Sequence, residues 1–375
     1  MGRAPNAKDS RRIKLVNSQR LLDIFLELVR IDSPSGEEEV IANHLAEKLS
    51  RLGLAVEPDA IHNLVARLPG RGQPVMLAAH MDTVMPGRGI RPVVQDGIIR
   101  SDGSTILGAD DKAGIAIILE TLAVLAESGQ PHPPLEVVIT VQEEVGLNGA
   151  RSLDGSRLQS RLGISLDAGG PPGEIVVSAP THDLVTAVVL GRAAHAGANP
   201  EAGINAIKVA AEAIHNMPLG RIDAETTANI GIIQGGLARN IVPDRIELTG
   251  EARSRNVARL DAQTAVMRRA LEDAARAFET TVEIDIARSY LGYELGPDEP
   301  MVHALSEACR AEGVEPQLVP TGGGSDANIF NADGRQVVNL SMGASGEHTT
   351  HEQVAVNDMV MCARIVLRCL RSLAG

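Results

Sequence analysis

The sequence predicts an α/β chain built on a mixed, mainly parallel sheet, with a second α+β unit inserted in it. Three observations carry that expectation. Short, continuously apolar runs alternate with helical-period segments up to residue 179, the pattern of strands covered by helices on both faces. Between residues 180 and 290 the order changes to strand, helix, strand, strand, helix, strand. His80, Glu143, Glu144 and Asp167 fall where strands end, and α/β chains gather function at the carboxyl ends of their strands. Residues 1–179 and 291–375 are therefore expected to form one discontinuous domain, with 180–290 as a separate one.

Taken in order, Ser18 opens a helix whose apolar residues Leu21, Leu22, Phe25, Leu28 and Val29 share a face. A second helix carries Ile41, Leu45 and Leu49, with Ser35 and Glu38 in capping-box register and Gly53 as its C-cap. Strands follow at 63–68 and 74–79, then a loop rich in Gly, Ser and Asp over 96–108. A helix is expected from the pair Asp110-Asp111, with Ile115, Ile118, Leu119, Leu122 and Leu125 at helical spacing. Apolar runs 135–141 and 163–166 end in Gln142-Glu143-Glu144 and in Asp167. In the inserted unit, strands at 184–190, 229–233, 245–251 and 281–286 and helices at 202–214 and 258–278 give the split βαβ, ferredoxin-like order. A helix at 301–313, a Gly-rich turn at 322–325, a strand at 337–340 and a helix at 357–373 complete the chain.

Composition narrows the function classes. A net charge of −13 argues against nucleic acid as a partner. The chain has no apolar run long enough to span a membrane. With 3 Phe, 2 Tyr and no Trp, stacking on bases or sugars is a poor recognition mode. Cys309, Cys362 and Cys369 lack metal-type spacing and read as core residues of a reduced, cytoplasmic protein. The basic start, with Arg11, Arg12 and Lys14, has no apolar segment of the secretory kind before the first helix.

Two adjacent carboxylates at a helix start feel the positive end of the dipole and can gather hard cations, although the same pair also serves as an ordinary N-cap. His80, Asp110, Glu144, Asp167 and His348 add nitrogen and carboxylate donors without a thiolate, a set that suits zinc and also cobalt or manganese. Two metals sharing one bridging carboxylate would use all five.

The motifs HMDTV at 80, GADDKAG at 108, QEEVG at 142, SLDAGG at 165 and HTTHE at 348 resemble, in this order, those of the di-zinc peptidases of the peptidase T, glutamate carboxypeptidase and aminoacylase family. The resemblance runs nearly the whole chain. It implies a zinc-peptidase catalytic domain with the inserted unit as a lid and dimerisation domain, and two Zn2+ ions per subunit. It gives His80 and Asp167 to one metal, Glu144 and His348 to the other, and Asp110 to both, with a cis peptide after Asp110. His348 is preferred to His351 because it stands four residues before Glu352, as the family's ligand stands before its own Glu. Asp82 matches the carboxylate that orients the imidazole of His80. Glu143 matches the catalytic base, pointing opposite to Glu144 on an extended segment. His195, in a small-residue turn, matches a histidine that reaches a partner subunit's site and stabilises the oxyanion.

Asn240 and Arg253 match residues that hold the substrate's backbone and carboxylate, while Arg253 also reads as a surface charge. Gly322-Gly323-Gly324-Ser325-Asp326-Ala327 resembles peptidase T's Arg-Gly-Gly-Thr-Asp-Gly loop, with Gly322 in the arginine's place. The amides of Gly323 and Gly324 remain available as a small anion nest. The implied activity is that of an aminopeptidase on short peptides. An N-acyl amino acid amidohydrolase or deacylase, or a carboxypeptidase, is the alternative.

Overall fold

The computed structural model describes residues 16–374; Arg11, Arg12 and Lys14 lie outside them. Two compact units emerge. One comprises the chain up to Val177, Leu295–Val319 and the chain from Ser325; the other comprises Ser178–Glu294 and Pro320–Gly324.

The first unit holds a mixed sheet in the order Ala55–Pro58, Leu64–Leu68, Leu135–Thr140, Val75–His80, Leu162–Ala168, Gln336–Ser341, Glu174–Ala179. Its four central strands, Leu135–Thr140 through Gln336–Ser341, are parallel to one another. Val75–His80 and Leu135–Thr140 are buried at every residue, which is why the sequence shows continuous apolar runs there rather than alternation. Helix Ala109–Ser128 is buried along nearly its whole circumference, so its apolar spacing understates how central it is. A Cβ on Gly114 would lie 2.1 Å from the Leu166 carbonyl oxygen, so only glycine permits that approach.

Three expectations change. The capping box at Ser35 and Glu38 does not form: Glu38 makes no capping bond to its own helix, and its Oε1 instead accepts from Gly36 N and Gln142 N. The helix following Gly108 runs regularly only from Lys112, because Asp110 and Asp111 have non-helical backbones. The loop at 96–108 contains strand Ile98–Arg100, part of a small sheet ordered Ala344–Ser345, Gln353–Ala355, Ile98–Arg100, Val93–Gln95. Strands of two or three residues are too short to leave a periodic signal.

The second unit has a sheet ordered Gly220–Arg221, Thr226–Gly235, Arg245–Ser254, Thr181–Leu190, Val282–Tyr290. The last four strands, all antiparallel, have the ferredoxin-like arrangement. Helices Ala206–His215 and Val257–Ala277 pack on one face over Val185, Ala187, Val189, Ile246, Leu248 and Ala252. His182 stands opposite Arg253 on one side and Tyr290 on the other. Residues Pro320–Gly324 group with this unit although they sit in the returning chain. The Tyr290 hydroxyl lies 2.2 Å from where a Cβ on Gly324 would be, so the ring and a bare glycine backbone occupy one space. Among the described residues no helix is long and apolar enough to cross a membrane.

Candidate metal centre

Because the four central strands run the same way, their carboxyl ends share one edge. His80 closes its strand, Asp167 lies next to the end of Leu162–Ala168, and Glu143 and Glu144 follow Leu135–Thr140. The Asp110–Asp111 peptide is cis. His348, at φ +61, sits in the turn between Ala344–Ser345 and Gln353–Ala355.

Among the described residues three groups of ligand atoms result: His80, Asp110 and Asp167; Asp110, Glu144 and His348; and His80, Glu143 and Glu144. His80 Nε2 is 3.0 Å from Asp110 Oδ1 and 3.6 Å from Asp167 Oδ1. His348 Nε2 is 3.0 Å from Glu144 Oε1 and 3.3 Å from Asp110 Oδ2. Asp110 therefore offers one oxygen to each of the first two groups. His351 is exposed and takes no part in any of the three.

The charges are arranged for cations. Burial opposes a charge on His80, yet the carboxylates of Asp110, Asp167 and Asp82 outweigh it and push its pKa well up. Hydrogen bonds to Asp110 and Glu144 raise His348 to about 10. Burial would raise Asp110, but hydrogen bonds from His348 and His80 hold it below the usual carboxylate range. Binding of a divalent ion at these imidazoles and carboxylates would displace protons from them. Five nitrogen and oxygen donors with one shared carboxylate fit a pair of divalent ions.

The surrounding residues fix the ligands. His80 Nδ1 lies 3.0 Å from the Asp82 carbonyl oxygen and 3.4 Å from its Oδ1, so the backbone shares the orienting role expected of the carboxylate. That carboxylate accepts from Glu143 N at 2.9 Å, Glu144 N at 3.2 Å and Ser35 Oγ at 2.6 Å. The two glutamates do not continue a strand: Gln142 has φ +52, and Glu143 and Glu144 both reach ligand distance of His80. The bond from Gln142 N to Glu38 helps hold the kink that replaces the expected extended segment. Glu143 is buried, which pushes its pKa well up, with Asp167 and Asp326 adding to the rise.

Several residues went unrecognised in the sequence. Glu352, fully buried, accepts from Leu107 N and Gly108 N at 2.7 Å and from Asp110 N at 2.9 Å. It ties the turn carrying Asp110 to the segment carrying His348, and its place in the HTTHE motif was the available signal. Asn339 brackets Asp167, accepting from its N at 3.0 Å and donating to its carbonyl at 3.1 Å. Asp111 Oδ2 accepts from His80 N at 3.0 Å. Thr140 Oγ1 donates to the buried Asp326.

The remaining expected residues belong to the second unit. His195 is exposed, and its Nδ1 accepts from Gly197 N and Ala198 N, both at 3.1 Å; in the neutral ring this leaves the proton on Nε2. Asn240 is exposed in the adjacent loop, where its carbonyl accepts from Ala196 N at 3.0 Å. Arg253 Nη2 donates to Glu251 Oε2 at 3.0 Å. Gly323 N donates to Thr321 Oγ1 at 3.1 Å, so that amide is already used within the loop.

Residues 76–372 match the model of the peptidase family M20/M25/M40. The uncharacterised protein YqjE of Bacillus subtilis is 42% identical over 370 residues, spanning 96% of this chain and all of its own. The crystal structure of the aminopeptidase PepT from Bacillus cereus aligns with a TM-score of 0.85 at 41% identity, covering 96% of this chain and 100% of the other. That of a tripeptidase from Staphylococcus aureus aligns with a TM-score of 0.90 at 40% identity, covering 96% and 99%. From the shared edge of its parallel strands to the carboxylate common to two of the ligand groups, the chain belongs to the peptidase family M20/M25/M40.

Proposed function

We propose that this chain is a di-zinc aminopeptidase that removes the N-terminal residue of short peptides, tripeptides foremost. The observation that carries the reading is the pair of Asp110 oxygens, one 3.0 Å from His80 Nε2 and the other 3.3 Å from His348 Nε2. The similarity to an aminopeptidase and a tripeptidase at 41% and 40% identity supports the reaction. His80 and Asp167 would hold one ion, Glu144 and His348 the other, and Asp110 both. When bound, the ions supply an activated water and polarise the scissile carbonyl. Glu143 takes a proton on its carboxylate and returns it to the leaving amine, and its burial, which favours the protonated acid, suits it to hold that proton. His195 donates from Nε2 to the oxyanion in the partner subunit's site, and Asn240, Arg253 and the backbone of Gly323 and Gly324, beyond the Gly323 amide that Thr321 holds, position the peptide.

The second unit is proposed as a lid that forms a homodimer. The strand Thr226–Gly235 supports this: beyond its short pairing with Gly220–Arg221 its outer edge pairs with no other strand among the described residues, with Ile232 and Ile233 each 51% exposed. Buried free cysteines suit a reducing cytoplasm. To test the reaction, metal-stripped protein is reloaded with zinc or cobalt and given a tripeptide and its N-acetylated twin. Release of the first residue from the free peptide alone is expected, whereas turnover of the acetylated twin would instead establish a deacylase.

A further inference from the structure

Glu143 and Glu144 are neighbours, yet their carboxylates are held differently. Glu144 Oε1 lies 3.0 Å from His348 Nε2. The Glu143 carboxylate accepts no hydrogen bond from any described residue; only its backbone N–H is bound, to Asp82 Oδ1 at 2.9 Å. The direction this buried side chain takes is therefore set by the backbone that carries it.

That backbone is a left-handed kink. Gln142 has φ +52, a conformation that a residue with a Cβ adopts only where its surroundings impose it. Three successive amides are gripped here by two carboxylates. Gln142 N donates to Glu38 Oε1 at 3.0 Å, while Glu143 N and Glu144 N donate to the two oxygens of Asp82. On the other side of the turn, the carbonyls of Gln142 and Glu143 accept from Asn148 N at 3.1 Å and Leu147 N at 2.8 Å. Asp82 Oδ1 is also 3.4 Å from His80 Nδ1, so its hold on the turn is tied to the candidate ligands. Of the two carboxylates, Glu38 is the one that bonds to none of them.

Glu38 is itself prepared for this task. It is buried, its Oε1 also accepts from Gly36 N at 2.8 Å, and no basic side chain among the described residues pairs with it. Its segment is pinned beside Asp82. Ser33 Oγ donates to the Met81 carbonyl at 2.8 Å, Thr83 N to the Ser33 carbonyl at 2.9 Å, and Ser35 Oγ to Asp82 Oδ2 at 2.6 Å. Burial pushes the Glu38 pKa up, with Asp82 adding to the rise. An acid placed here works against the fold, and what it contributes is a grip on one amide of the turn.

We propose that Glu38 is a positioning residue for the general base, aiming the Glu143 carboxylate by fixing Gln142 N, independently of metal binding. This rests on the reading of Glu143 as the base. A reacting group misplaced by about 1 Å can lose about 10²-fold in rate, so a grip on its backbone matters to turnover.

The test measures kcat and KM for a tripeptide, metal affinity and thermal denaturation in the wild type, Glu38→Ala, Glu38→Asp and Glu38→Gln, with metal loaded for the kinetics. Glu38→Ala removes the acceptor and Glu38→Asp draws it back by one methylene. Both should lower kcat about 10- to 100-fold, with KM and metal affinity close to wild type. Glu38→Gln keeps an oxygen at the same reach and should recover most of the loss. Should Glu38→Ala fail to fold, Glu38→Asp and Glu38→Gln carry the same comparison. A merely structural role at the start of helix Glu39–Arg51 would instead make activity follow the melting temperature across the variants. That outcome would overturn the assignment with Glu143 still the base, as would an undiminished kcat in Glu38→Ala and Glu38→Asp, or a fall in kcat that metal affinity shares. If Glu143→Gln kept wild-type turnover, the reading of the base would fail and this one with it.

Discussion

The candidate metal centre of the first unit and the residues proposed for the oxyanion and substrate in the second are built on opposite principles. In the first, His80, Asp82, Asp111 and Glu352 are all buried, and the ligand-bearing turns are held by backbone N–H groups aimed at carboxylates. A buried N–H without an acceptor costs about 1–3 kcal/mol, so each such bond excludes alternative arrangements. In the second, His195 and Asn240 are exposed on loops, and what fixes them is a few local turn bonds. The difference teaches that the candidate ligands are fixed by their own buried surroundings, whereas the residues proposed for the second unit keep the freedom to adapt to a ligand.

Three substitutions sharpen that comparison, beginning with the largest effect. Glu143→Gln should lower kcat by about 10²- to 10⁴-fold, the usual contribution of a general base, with metal stoichiometry preserved in calorimetric titration. Activity close to wild type would remove Glu143 from proton transfer. Glu352→Gln should come next. An amide has one acceptor oxygen where the carboxylate uses two to receive three N–H groups, so the turn carrying Asp110 should loosen. Metal affinity should drop about 10- to 100-fold, as when residues behind ligands are changed, and unchanged affinity would show that Asp110 needs no such tether.

The smallest effect belongs to the second unit. Glu251 has its pKa lowered to about 2, first by the hydrogen bond from His182 and, against the opposing effect of burial, by Arg253. A group whose folded pKa is depressed stabilises the fold above its unfolded value, near 4.5, and loses that contribution as pH falls towards 2. Glu251→Gln should therefore cost about 0.5 kcal/mol at neutral pH, a partly exposed pair being well screened. The gap between the two thermal denaturation curves should close between pH 4.5 and 2. A gap that widened on acidification would reverse the sign and exclude the pairing.

Much of the chain was legible because burial on both faces writes itself into sequence as uninterrupted apolar runs. Leu135–Thr140 and Val75–His80 are of this kind, and they place His80, Glu143 and Glu144 at one edge before any coordinates are known. The inserted unit was legible for a related reason: alternating Val185, Ala187 and Val189 face its helices, so the period of two survives. The small sheet that carries His348 and Glu352 was not, since its strands have two or three residues each.

By itself, then, the sequence determined the order of elements and the residues available to hold metal, because periodicity and donor chemistry are local properties. Tertiary structure alone decided that Asp110 turns one oxygen to each histidine, that Glu352 reaches across 242 residues to hold Asp110 N, and that Arg253 pairs with Glu251. Each of these depends on distances between segments far apart in the chain, and no pattern of neighbouring residues encodes a distance.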